Sequence, residues 1–174
     1  VCGGKAVGME GHTCKNVLWT AWTSSSSLPT AAGNYYLTKD INRGDQTVIY
    51  GVDVNIDLNG HNINFNVPIR TDGYRFLRVQ RNTDASGAAY GPGARVSFTD
   101  STNNPGTVKV VMPDYSGAAA DVQTKMLEGN QGMLFWVWAN SSITVYDGKF
   151  DGSAIQNTKA GPVAVIDLIG RCNM

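Results

Sequence analysis

The sequence predicts an all-β protein made of stacked repeats, a solenoid in preference to an antiparallel β-sandwich. Apolar residues alternate with polar ones in short runs, as Val52, Val54, Ile56 and Leu58 do around Asp53, Asn55 and Asp57. Turn signals such as Asn59-Gly60 and Asp147-Gly148 separate the runs. The same strand–turn–strand order then recurs along the chain. Recurrence favours stacking, because one such unit cannot bury its apolar face alone.

Residues 1–32 read as an irregular, Cys-containing N-terminal cap and connector. Gly3, Gly4, Gly8 and Gly11 break any periodicity, and Ser24-Ser25-Ser26-Ser27-Leu28-Pro29 reads as a loop. Between them, residues 17–22 are long enough for one short strand, with Trp19 and Trp22 in no strict alternation.

Residues 33–174 read as the repeats. Tyr35-Tyr36-Leu37 is aromatic and β-prone. Ile56-Asp57-Leu58-Asn59-Gly60 leads to Ile63. Val96-Ser97-Phe98-Thr99-Asp100 leads through Asn103-Asn104-Pro105-Gly106 to Val108 and Val110. Ile143-Thr144-Val145-Tyr146-Asp147-Gly148 leads to Phe150. A β-rich run precedes each unit, at 47–50, 76–79 and 133–138, and a fourth lies at 163–169. The repeat is therefore strand, turn, strand, turn, strand. Ile56 to Val96 is 40 residues and Val96 to Ile143 is 47, so the copies carry insertions, at 82–93 and 113–131. The second insertion holds the helix-capable stretch 118–127, where one short helix is expected. Parallel stacking would place Ile56, Val96 and Ile143 in one inward ladder and Leu58, Phe98 and Val145 in the next.

At 174 residues the chain is one domain with room for a real core. Fourteen basic residues balance fourteen acidic ones, which argues against a nucleic-acid surface. Charged residues are 16%, against about 25% in an average domain, and Gly numbers 20. This composition suits a secreted β-protein. No apolar run approaches the roughly 20 residues of a membrane span. The opening Val1-Cys2-Gly3-Gly4 has no initiator Met and no signal peptide, so a processed or excised piece of a longer precursor is expected.

Gly33-Asn34-Tyr35-Tyr36-Leu37, Val54-Asn55-Ile56-Asp57-Leu58-Asn59-Gly60-His61-Asn62-Ile63 and Ser142-Ile143-Thr144-Val145-Tyr146-Asp147-Gly148-Lys149-Phe150 carry a resemblance. They resemble the right-handed parallel β-helix of the pectin-lyase-like superfamily, in particular coils of large secreted or surface proteins of gut-dwelling Gram-positive bacteria. The resemblance spans residues 33–170. It implies the fold, and leaves function open among enzymes, adhesins and stalks. It also implies that the β-helix continues past Met174. The interval from Phe135 to Ile143, counted again from Val163, ends at Arg171 and Cys172, before any closing turn.

Candidate sites follow from residue chemistry. Cys2, His12 and Cys14 offer three of the four ligands of a structural zinc site. The resemblance implies a Cys-x-Cys-Gly-Gly start before His-x-Cys, which would put the fourth ligand ahead of Val1. A Cys2–Cys14 disulfide is the rival, and an oxidising compartment favours it. Cys172 reads as a small buried apolar residue. Asp57, Asp100 and Asp147 occupy equivalent turn positions, where Asp ordinarily bonds the local backbone; a calcium column is the alternative. Arg70, Arg75, Arg78 and Arg81 form a basic cluster, with Arg78 facing outward between Leu77 and Val79. His61 reads as a turn residue, and no Ser-His-Asp order or Gly-x-Ser-x-Gly elbow appears. Trp136 and Trp138 share one strand face, opposite Phe135 and Val137. They form a sugar-stacking or protein-contact surface unless the 113–131 insertion covers them.

Together these features predict a non-catalytic extracellular structural or adhesive surface module that self-assembles end to end. A carbohydrate-binding module for surface glycans is the alternative, as is part of a polysaccharide lyase or glycoside hydrolase.

Overall fold

The structure is a computed structural model describing residues 18–69, 75–84, 86–128, 133–138, 140–155 and 164–169. In chain order the strands are β1 (Thr20–Trp22), β2 (Gly33–Leu37), β3 (Ile41–Arg43), β4 (Thr47–Tyr50), β5 (Asp53–Asp57), β6 (Ile63–Asn66) and β7 (Arg75–Gln80). A small hairpin, β8 (Asn82–Thr83) and β9 (Ala89–Tyr90), precedes β10 (Arg95–Thr99) and β11 (Thr107–Val111). Helix α1 (Ala120–Glu128) leads to β12 (Met133–Trp138), β13 (Ser142–Val145), β14 (Lys149–Asp151) and β15 (Ala164–Ile169). The described residues are thus mostly β with one short helix, at the stretch expected from sequence. No helix among the described residues is long and apolar enough to cross a membrane.

Parallel sheets dominate. The first sheet has the order β1-β2-β5-β10-β13, the second β3-β6-β11-β14, and the third β4-β7-β12-β15. Within each sheet every pairing is parallel; only the β8–β9 hairpin is antiparallel. From β2 onward, and leaving aside the hairpin, the strands visit the first, second and third sheet in turn. The four β-rich runs of the sequence make up the third sheet. β1 extends the first sheet through Thr20↔Tyr35, so residues 20–22 join the same sheet as the repeats.

The register differs from the expected ladders. Val96 lies beside Val54 and Ile143, and Phe98 beside Ile56 and Val145. The first strand is displaced by two residues from its predicted alignment. A two-residue slip leaves every side chain on the same face, so alternation alone does not distinguish the two registers. Val145, expected inside, is 43% exposed because β13 is the outermost strand of its sheet. Strand β3 had no sequence signal, since Ile41 is its sole apolar residue. Its pairing Ile41↔Ile63 with β6 supplies the order.

The inward faces form one core. Ile49, Val54, Ile56, Ile63, Leu77, Val79 and Val137 are fully buried. Phenylalanines run through it, with ring centroids 5.5 Å apart for Phe65–Phe76, 6.5 Å for Phe76–Phe135 and 5.6 Å for Phe135–Phe98. Each such ring pair adds about 0.5–1.5 kcal/mol beyond area burial. Met126 of α1 is buried in the same cluster, which anchors the helix.

Polar ladders run along the outside. On the first sheet, Asn55 donates to Asn34 Oδ1 at 2.7 Å and accepts from the Ser97 hydroxyl. On the second, Asn64 donates to Asn42 Oδ1 at 2.9 Å. Parallel in-register stacking lets an amide bond the same group one strand away, which is why Asn recurs in equivalent positions.

Candidate functional site

Polar side chains gather in two places, and the two behave differently. The first is the corner between the first and second sheets. Asn59 and Gly60 centre a turn closed by His61 N–H donating to Leu58 O at 2.8 Å. Their φ angles are 49° and 77°, the left-handed region that Asn and Gly tolerate. Asp57 Oδ1 accepts from Asn59 N–H at 2.9 Å and from Ser101 N–H at 3.0 Å, just past the neighbouring strand β10. Asp100 is fully buried. Its carboxylate accepts from the N–H groups of Gly60 (3.2 Å), Thr102 (2.9 Å) and Gly106 (2.7 Å), and from the Thr102 hydroxyl (2.6 Å). Burial pushes the Asp100 carboxyl up, but these donors outweigh it and hold it below the ordinary range. Asn59 donates to Leu37 O at 2.9 Å, tying the corner to the preceding turn.

These contacts are the backbone bonding expected of Asp57, Asp100 and Asp147 from sequence, in preference to a cation column. Asp57 and Asp100 bond the turn backbone, and Asp147 accepts from Gly148 N–H at 2.8 Å. Among the described residues, no three His, Cys, Asp or Glu side chains gather as a metal site. His61 stands 3.4 Å from Asp40, whose carboxyl is held low first by the Asn62 N–H. Cys2, His12, Cys14 and Cys172 lie outside the described residues, as does Arg70.

The second place is the outer face of the third sheet. The register Trp136↔Arg78 sets β7 and β12 side by side, with Phe135↔Leu77 and Val137↔Val79 turned to the core. The Arg78 guanidinium carbon lies 4.1 Å from the centre of the Trp136 ring and 5.3 Å from that of Trp138. Arg75 also lies 4.1 Å from the Trp136 ring. Trp136 and Trp138 are half-buried, not freely exposed. Arg78 Nε and Trp136 Nε1 are buried without a hydrogen-bond partner among the described residues. Burial pushes the Arg78 pKa down and the Arg75 charge adds to this, opposed by Tyr50. A guanidinium nevertheless stays charged at neutral pH.

Sequence reading treated the arginines and the tryptophans separately. Both sit in the β-rich run that opens each repeat, so equal phase in that run was the signal that would have joined them.

Fold and site together define a mostly-β protein of parallel sheets with a cation–aromatic cluster on one outer face. Comparison with family models, with curated proteins and with solved structures gives no match.

Proposed function

We propose that the chain winds as a right-handed parallel β-helix and serves as a non-catalytic structural or adhesive module at the cell surface, assembling end to end. The observation carrying this reading is the cyclic visiting order of the three parallel sheets. A strand–crossover–strand connection within a parallel sheet takes the right hand in about 98% of cases. The edge strands support the assembly part. β1, β3 and β4 bound the three sheets on one side and β13, β14 and β15 on the other, each with one ladder edge unpaired by the described strands. Such edges are templates for further pairing. Tyr146, at the end of β13, is 68% exposed beside them. Low charge content with Asn ladders along the sheets supports an extracellular setting.

Sedimentation velocity over a hundredfold concentration range, without reductant, tests the assembly. Growth of elongated species with concentration is the expected result. A single monomeric boundary throughout would remove self-assembly from the reading.

A further inference from the structure

We propose that the outer face of the third sheet binds an oxyanion carried on a sugar ring, a carboxylate or sulfate group of an acidic saccharide. Arg78 is the anion contact and Trp138 the ring platform.

Arg78 is a cation for which the described residues supply neither an ion pair nor a hydrogen bond; it lies over two indoles, Trp136 and Trp138. By contrast, the exposed Arg95 stands 3.7 Å from Asp53, and Arg43 and Arg81 donate to backbone carbonyls. Lying 4.1 Å over the Trp136 ring, the Arg78 guanidinium is held in place before any ligand arrives. Its planar fork matches a carboxylate or sulfate through two parallel N–H donors. Partial desolvation of that fork strengthens an anion contact relative to one on a solvated arginine.

The aromatic part follows from how the rings are used. Trp136 already meets two guanidiniums at 4.1 Å, so little of its ring is left for a ligand. Among the described residues, Arg78 is the cation that approaches Trp138, at 5.3 Å, and the indole stays half-exposed. An indole face of this kind takes the C–H face of a sugar ring. Tyr50, 42% exposed and paired in register with Gln80, extends the aromatic surface along the same sheet. The chain has no net charge, so recognition would be local to this cluster, without long-range steering.

This inference is independent of end-to-end assembly. The test is titration calorimetry on the full chain with three probes: a heparin-derived tetrasaccharide, a hyaluronan tetrasaccharide and the neutral cellotetraose. We expect one or both charged probes to bind, cellotetraose to bind at least tenfold more weakly, and affinity to fall with added salt. A preference between the charged probes identifies sulfate or carboxylate as the recognised group. Arg78→Gln and Trp138→Leu should each weaken binding at least tenfold, whereas Arg95→Gln should not. Arg78→Lys keeps the charge but loses the fork and should recover only part of the affinity. Circular dichroism checks that each variant is folded, and the salt dependence of the unaltered protein stands if one is not. No binding of either charged probe, equal binding of cellotetraose, or undiminished binding by Arg78→Gln would overturn the proposal. Binding by a protein that stays monomeric would overturn the assembly reading and leave this one intact.

Discussion

The corner between the first and second sheets and the outer face of the third sheet handle buried polarity in opposite ways. At the corner, a carboxylate with no solvent exposure receives four donors, three of them backbone N–H groups. On the outer face, a half-buried guanidinium keeps its Nε without an acceptor and rests on aromatic rings. A buried polar group that is fully bonded holds structure together, whereas one left unbonded costs stability. The difference separates groups that serve the fold from groups free to serve a ligand. It also explains why the acidic residues, the most obvious chemical candidates in the sequence, are the less available ones.

Breaking the corner should have the largest effect. A Cβ on Gly106 would stand 1.9 Å from His61 O, backbone against backbone, so Gly106→Ala must push the two loops apart. A loss of about 3 kcal/mol in denaturant unfolding is expected. Asp100→Ala comes next, leaving the Gly60, Thr102 and Gly106 donors unanswered, at a cost of about 2–3 kcal/mol. A smaller effect comes from acid. The folded Asp100 carboxyl sits below its ordinary value, so its contribution is complete above the unfolded pKa, about 4, and is lost as pH falls through the folded pKa. Melting temperature should therefore hold between pH 7 and 5 and drop below about pH 4, with a shallower drop in Asp100→Asn. The smallest effect is expected on the outer face. Replacing Arg78 by Leu removes an unbonded buried Nε along with its ring contacts, and unfolding free energy should change by less than about 1 kcal/mol. A loss as large as that of Asp100→Ala would mean that the two regions do not differ in the way described.

Local chemistry made much of this legible. Alternation around Val54 and Ile56, the Asn59-Gly60 turn, the β-rich runs at Thr47–Tyr50 and Met133–Trp138, and the helix near residue 120 all express forces acting within a few residues. The backbone-bonding role of Asp57 and Asp100 was also readable, since short carboxylates after a strand bond nearby N–H groups. Their second bonds, to Ser101 and Gly60, were not, because those partners lie 44 and 40 residues away in sequence.

From the sequence by itself came the all-β class, the order of most elements, the inward face of most repeat strands, and the turns. Tertiary structure alone decided the register in which the neighbouring strands pair. Insertions of unequal length separate the repeats, and a two-residue slip preserves every inward and outward assignment. Packing therefore chose Val54 over Ile56 as the partner of Val96. It also gave β3 a place beside β6, and brought Arg78 onto Trp136 from 58 residues away, 136 less 78. Equal phase in two β-rich runs is all the sequence offers for that last contact, because the contact itself exists only once β7 and β12 pair.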